Sequence, residues 1–179
     1  MSAVVLADRK ASAVAAAGEA EERQYLTFTL GSEMFAIEIR DIKEIIEYGS
    51  LTTVPMMPQF VRGVINLRGR VVPVIDLSVR FGRNATETTK RTCTVIIEVH
   101  VEGQAIDIGI LVDAVSEVLE IPASEIEPPP SFGAKIRADF ISGMGKVNGE
   151  FVIVLALDKV LSVEEMAVLG AVEAGGRPH

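Results

Sequence analysis

The sequence is poor in the residues that most catalytic and metal sites need. Its 179 residues include one cysteine, two histidines and no tryptophan. One cysteine forms no intramolecular disulfide, which favours a reducing compartment, and Cys93, His100 and His179 do not supply a zinc site of the usual Cys/His spacing. A Ser-His-acid triad would have to use His100, and no serine lies in a nucleophile-elbow sequence. We predict that the protein is not an enzyme and uses no metal and no cofactor; a hydrolase that pairs two carboxylates is the catalytic alternative.

Long apolar runs and a positive net charge are also missing. No stretch reaches the roughly 18 uninterrupted apolar residues of a membrane-spanning helix. The Ala-rich start is interrupted by Asp8, Arg9 and Lys10, so it does not resemble a signal peptide, and residues 1–23 are predicted to form a flexible tail. A net charge of −8 disfavours general binding to DNA or to an anionic membrane. We predict a cytoplasmic protein without direct membrane insertion.

Aliphatic residues are abundant, and their spacing indicates β-strands. Apolar residues make up 49% of the sequence, enough to bury a core, and most of them are Val, Ile or Leu, which favour strands. Leu26, Phe28 and Leu30 alternate with Tyr25, Thr27 and Thr29, the period-two pattern of a half-buried strand.

Local turn and cap signals add detail to this pattern. The pairs at 68–69 and 148–149 are predicted to turn two tight hairpins. Ser162 and Glu165 form a capping box that predicts a C-terminal helix over 162–173.

The chain contains an internal repeat. A shift of 80 residues superimposes 60–63 on 140–143, and a shift of 69 superimposes 36–39 on 105–108. A period near 75 residues is too long for a solenoid unit, so we interpret it as two copies of one small β-module. Short strands with Gly or Pro turns favour a small barrel for each copy.

The two copies differ at positions where the fold tolerates many residue types. The differing positions are polar and lie near the hairpin tips: Arg62, Asn66, Arg68 and Arg70 in the first copy, and Ser142, Lys146, Asn148 and Glu150 in the second. Exposed polar positions on loops are where related folds acquire different functions.

Five arginines lie close together in an acidic chain. Positions 62, 68, 70, 80 and 83 are arginine, and Asp76 is the acid among them. The cluster is interpreted in three ways: a solvated face, a site for acidic protein partners, or a nucleic-acid surface that lacks stacking aromatics. Arg68 precedes Gly69 at a hairpin corner, where its rigid fork suits a carboxylate or backbone carbonyls. It could equally brace the two barrels against each other.

The run from Phe60 to Leu77 closely resembles the CheW family of chemotaxis coupling proteins. Supporting matches lie at 109–119 and 162–166, and the likeness extends from Tyr25 to Leu169. The same module occurs in the kinase CheA and in CheV, but this chain has no kinase ATP-lid glycines, no phosphotransfer domain and no room for a receiver. It therefore resembles the stand-alone adaptor.

The resemblance implies a mainly β fold of two pseudo-symmetric SH3-like five-stranded β-barrels packed around a shared hydrophobic core, with short helices and a C-terminal helix. The expected domain spans 24–169. Its first barrel covers 24–83, its second 92–161, with exchange of strands between them left open, and residues 174–179 are a tail.

The resemblance also implies a non-catalytic adaptor that couples methyl-accepting chemoreceptors to the histidine kinase CheA in signalling arrays. The expected partners are the helical hairpin at the receptor's cytoplasmic tip and the regulatory domain of CheA; the free protein is expected to be a monomer. A nucleic-acid-binding β-barrel that uses the cluster from Arg62 to Arg83 is the alternative. The residues that match partner-binding positions are Ile42, Glu44, Val61, Arg62, Gly63, Arg68, Val95, Gly109, Val115 and Val118, the last four at the groove for the receptor helix.

Overall fold

The structure, a computed structural model, describes residues 23–49, 51–101, 103–128 and 140–160. Within these ranges the chain forms ten strands: β1 (Arg23–Leu30), β2 (Glu33–Glu38), β3 (Ile42–Glu47), β4 (Val61–Leu67), β5 (Arg70–Asp76), β6 (Cys93–Val101), β7 (Gln104–Val112), β8 (Ala114–Ile121), β9 (Ile141–Val147) and β10 (Glu150–Leu155). The short helices are α1 (Leu77–Arg80) and α2 (Leu157–Val160), with single 3-10 turns at Ile39–Asp41 and Ala123–Glu125. Arg23 of the predicted tail already belongs to β1; the predicted helix at 162–173 lies outside the described residues.

The strands form two five-stranded sheets, which confirms the predicted mainly β class. The first sheet has the order β8-β1-β2-β10-β9, and the second has the order β3-β6-β7-β5-β4. Each sheet takes strands from both 24–83 and 92–161. The halves meet at β1/β8 and β2/β10 in the first sheet and at β3/β6 and β5/β7 in the second, and of these β2/β10 and β5/β7 are parallel. Parallel neighbours cannot be joined by a tight hairpin, so each strand finds its partner in a distant segment.

The two sheets repeat one topology. When β1 to β5 are matched in order with β6 to β10, the strand order of the first sheet becomes that of the second. Both strand pairs β4/β5 and β9/β10 carry a bulge just before a glycine, Gly63 in one and Gly143 in the other. Both hairpins also turn through positive φ, at 53° and 82° for Arg68-Gly69 and at 50° and 81° for Asn148-Gly149. The internal repeat is therefore a repeat of structure.

One predicted register is corrected by the parallel pairs. Val74 and Val154 are equivalent at the shift of 80, and they pair with Gly109 and Ala36, respectively. Ala36 therefore corresponds to Gly109, a shift of 73, and not to Ala105. The error is physical in origin, because an alternating apolar pattern fits equally well at any even displacement, here four residues.

The hydrophobic core is shared by both sheets, as predicted. Its fully buried side chains include Phe28 and Phe35 from the first sheet, with Val95 and Ile108 from the second. A smaller apolar cluster lies on the other face of the first sheet: Tyr25, Ala36, Ile121, Val152 and Val154. This second cluster explains why β1 is buried on both faces and not half-buried as predicted. In the described ranges, no helix has the length and apolar character needed to cross a membrane.

Candidate protein-docking site

An ion pair joins the two edges of the second sheet. Glu44 lies on the edge strand β3, and Arg68 lies in the turn that follows the opposite edge strand, β4. Arg68 Nη1 donates to Glu44 Oε1 at 2.9 Å, and Arg68 Nη2 donates to Oε2 at 2.7 Å. Two backbone hydrogen bonds between Thr52 and Val64, of 2.9 and 2.8 Å, close the same gap. The Arg68–Glu44 pair therefore seals a barrel that the backbone closes only in part.

Arg68 is held in place and yet presented to solvent. Its side chain is 73% exposed, whereas that of Glu44 is 11% exposed. The hydrogen bonds to Glu44 raise the pKa of Arg68 above its ordinary value, because they stabilise the charged form. The local turn is fixed as well, since the Gly69 N–H donates to Asn66 Oδ1 at 2.9 Å. The sequence left open whether Arg68 binds a carboxylate or backbone carbonyls or braces the two barrels. In the structure it binds the Glu44 carboxylate, within one sheet.

A second set of ion pairs lies beside the first, and we call it the charged ladder: Lys43, Arg70, Glu98 and Asp107. Asp107 on β7 is almost fully buried, and it accepts from Lys43 Nζ at 3.0 and 3.1 Å. Arg70 Nη1 lies 2.8 Å from Oδ2 of the same carboxylate, and Lys43 Nζ also lies 3.3 Å from Glu98. The hydrogen bond to Asp107 is the main cause that raises the pKa of Lys43.

Three members of the ladder, Lys43, Arg70 and Asp107, line one shallow pocket at the mouth of the second barrel together with the Arg68–Glu44 pair. Leu67, Val72 and Ile96 contribute its apolar part. Sequence reasoning missed Lys43 and Asp107, although a signal existed. At the true register Asp107 corresponds to Met34, an acid in place of an apolar residue. The predicted register matched Asp107 with Glu38 and concealed that difference.

Arg62 is bound to the interior. Its Nη1 donates to Asp76 Oδ2 at 2.8 Å and to the Thr86 carbonyl at 3.2 Å. Asp76 is completely buried and also accepts from the Ser78 and Thr86 N–H groups and the Thr86 hydroxyl. The pair therefore fastens the segment around Thr86, which lies between the two predicted barrels, to the end of β5.

The remaining cluster arginines also have partners. Arg80 Nε donates to the Val160 carbonyl at 2.6 Å, and its guanidinium carbon lies 5.1 Å from the ring centroids of both Phe60 and Phe140. Arg83 forms an ion pair with Glu33. With 62, 68 and 70 already paired, no member of the five-arginine cluster, all of it within the described ranges, forms part of an unpaired basic patch. The nucleic-acid alternative gains no support from this geometry.

Four residues of the predicted partner-binding set are enclosed. Ile42 and Val95 have no exposed area, and both Gly63 and Gly109 are buried. A Cβ on Gly109 would lie 2.7 Å from Thr94 Cγ2, and one on Gly63 would lie 2.6 Å from the Thr52 carbonyl oxygen. In the free chain these four residues set how closely the strands approach. Their assignment to partner binding stays a prediction.

The partly exposed members of the set lie on different strands. Val61 packs against the core at the start of β4, whereas Val115 and Val118 lie on β8, at the edge of the first sheet. Val115 packs against the shared core, as does Cys93 of the second sheet, and burial raises the pKa of the Cys93 thiol. Of the predicted residues, Glu44 and Arg68 lie at the barrel mouth, and Val115 and Val118 lie on the β8 face.

Comparison with known proteins identifies the family. A family model for the CheW-like domain matches residues 24–165. The chain belongs to the CheW-like family. It is 37% identical to the chemotaxis protein CheW of Klebsiella aerogenes over 153 residues, covering 86% of this chain and 90% of that protein. It is 36% identical to the chemotaxis protein CheW of Rhizobium meliloti over 143 residues, covering 80% and 90%, respectively.

A solved relative has the same fold. The crystal structure of the scaffolding protein TtCheW from Thermoanaerobacter tengcongensis matches with a TM-score of 0.72 and 35% identity, covering 80% of this chain and 90% of that one. The sequence resemblance is therefore confirmed. The protein is a chemotaxis coupling adaptor of the CheW-like family.

Proposed function

We propose that this adaptor joins the cytoplasmic tip of a methyl-accepting chemoreceptor to the regulatory domain of the histidine kinase CheA and catalyses no reaction itself. The proposal rests on the geometry of Arg68, whose side chain is exposed but held on Glu44 by two hydrogen bonds of 2.9 and 2.7 Å. A charged fork held in one orientation loses little conformational freedom when a partner binds it. The pair uses two of the five N–H donors that a guanidinium carries, and the fork can offer others to a partner.

The repeated topology supports an adaptor with two partners. Both sheets use one frame, but the exposed hairpin positions Arg68 and Arg70 in one correspond to Asn148 and Glu150 in the other. One fold therefore presents two chemically different surfaces. We assign the barrel mouth around Arg68 to the kinase regulatory domain.

The β8 face is the surface we assign to the receptor. Val115 and Val118 are partly exposed and pack against the shared core on their inner side. Aliphatic side chains on a rigid strand provide apolar area for one face of a helical hairpin. The enclosed residues Val95 and Gly109 would shape this region from within. The adaptor would be a cytoplasmic monomer when free and would reach receptor arrays through its partners.

Binding assays with each partner alone test the proposal. The full-length chain is titrated with a chemoreceptor cytoplasmic fragment and, separately, with the CheA regulatory domain. We expect Arg68→Ala to weaken the kinase complex and Val118→Glu to weaken the receptor complex. Arg23→Ala, which removes an exposed ion pair with Glu38 elsewhere on the first sheet, is the matched control and should change neither. Absence of binding to both partners by the unaltered chain contradicts the proposal.

A further inference from the structure

The charged ladder occurs in one of the two structural copies. At the registers set by the strand pairs, Asp107 corresponds to Met34, Lys43 to Ser116 and Arg70 to Glu150. Met34 packs against the apolar cluster of the first sheet. The same place in this fold is therefore filled satisfactorily by an apolar side chain, and the frame does not require an acid there.

A buried carboxylate without a structural requirement calls for another explanation. Removing a charge from water is costly, and well-packed apolar residues often stabilise a protein as well as a buried ion pair does. Asp107 is nevertheless buried and accepts hydrogen bonds or ion pairs from two cations, Lys43 and Arg70. The best-attested role of a buried polar network is to select one arrangement of the folded chain among several.

The charged ladder lies beside the Arg68–Glu44 pair and is linked to both of its members. Lys43 immediately precedes Glu44 on β3, and Arg70 follows Arg68 by two residues at the start of β5. Asp107 lies on β7, between these strands in the sheet order. The Asp107 carboxylate thus binds Lys43, next to Glu44, through both oxygens and Arg70, close to Arg68, through Oδ2.

We propose that Asp107 is a positioning residue for the docking surface: through Lys43 and Arg70 it sets the relative placement of Glu44 and Arg68, and thereby the orientation in which Arg68 meets an acidic group of a protein partner. The inference rests on the proposed function for the identity of that partner, the CheA regulatory domain. Asp107 itself does not touch the partner, because its side chain is enclosed.

A double-mutant cycle tests the coupling. Asp107→Met copies the residue found at the equivalent position of the first sheet, so it is expected to keep the fold, as judged by circular dichroism and thermal melting. Affinity for the CheA regulatory domain should fall about tenfold in Asp107→Met and in Arg68→Ala. The double variant should be no weaker than Arg68→Ala alone, because residues that act through one interaction are not additive. Additive losses, or unchanged affinity in Asp107→Met, overturn the inference.

Two further arms keep the test decisive. If Asp107→Met does not fold, Asp107→Asn keeps the shape, removes the charge and is expected to give the same loss, whereas Asp107→Glu should restore much of the affinity. If the unaltered chain does not bind the regulatory domain, the proposed function fails, and the positioning claim is judged separately on the free protein. The Arg68 side-chain N–H signal in nuclear magnetic resonance should then show greater mobility in Asp107→Met than in the unaltered chain. Equal mobility overturns the claim.

Discussion

Glu44 on one edge strand and Arg68 beyond the opposite edge strand of the same five-stranded sheet are joined by two hydrogen bonds of 2.9 and 2.7 Å. Exposed strand edges invite pairing with other chains, so a small sheet needs its edges closed or covered. Here a side-chain pair completes that closure and leaves a guanidinium at the surface. One contact thus serves the fold and also creates a feature that a partner can bind.

Replacing Arg68 should affect coupling far more than folding. Because the guanidinium is exposed, the pair adds little to stability, and Arg68→Ala should shift the melting temperature by only a few degrees at most. Receptor-controlled activity of CheA in a reconstituted system should fall strongly. Arg68→Lys keeps the charge but not the bidentate geometry, so it should behave more like alanine than like arginine. Full coupling with Arg68→Lys contradicts the role given to the fork.

A charge on the β8 face should weaken receptor binding selectively. Val118→Glu places a carboxylate where an apolar helix face is expected to pack, and we expect the affinity for a receptor fragment to drop at least tenfold, roughly 1.4 kcal/mol. Gln104→Glu adds the same charge at an exposed position at the start of β7 and serves as the control. Calorimetric titration measures both. Equal effects of the two changes would show that net charge, and not the β8 face, determines binding.

Gly109 is predicted to matter through packing. A Cβ there would approach Thr94 Cγ2 at 2.7 Å and Val74 Cγ2 at 3.2 Å. Gly109→Ala should therefore lower the free energy of unfolding by about 1–3 kcal/mol in urea titrations, the usual range for overpacking. Gly49→Ala has open space around the added atom and should be nearly neutral.

A rescue variant distinguishes packing from a binding role at this position. Thr94→Ser removes the methyl group that the Cβ added by Gly109→Ala would meet, and it keeps the buried hydroxyl. Combined with Gly109→Ala, it should recover part of the lost stability. If Gly109→Ala instead loses receptor binding while its stability is unchanged, Gly109 acts by another route.

Breaking the buried pair at the end of β5 should destabilise the whole domain. Asp76 is fully buried and accepts from Arg62, Ser78 and Thr86, so Asp76→Ala leaves those donors without their acceptor. Losing one partner of a buried ion pair costs about 3–5 kcal/mol. Urea unfolding measures the free energy of unfolding. A decrease below about 1 kcal/mol contradicts the interpretation that the buried contacts of Asp76 stabilise the domain.

The repeat and its hairpins could be predicted from the sequence because they depend on local chemistry. Turns with positive φ favour residues such as Asn and Gly, so the pair Asn148-Gly149 can be recognised as such a turn from the sequence. The glycine and apolar positions recur in both copies because both need the same bulge and the same core. The number of strands in each sheet came from the resemblance to a family, not from periodicity.

The site was only partly predictable, for a physical reason. Ion pairs depend on which strands become neighbours, and the exchange of strands between the two halves brings Asp107 beside Lys43 and Arg70 from distant parts of the chain. The alternating pattern of β7 does not fix its register, so the contrast between Asp107 and Met34 was hidden. Likewise, the five clustered arginines suggested one basic surface, although the fold gives each of them a different partner.

Formation of a ternary complex tests the central claim most directly. The full-length chain is mixed with a chemoreceptor cytoplasmic fragment and the CheA regulatory domain, and the mixture is analysed by size-exclusion chromatography with light scattering. We predict one species that contains all three proteins and is absent when the adaptor is omitted. Two separate binary complexes that exclude each other, or no complex with either partner, would contradict the proposed role.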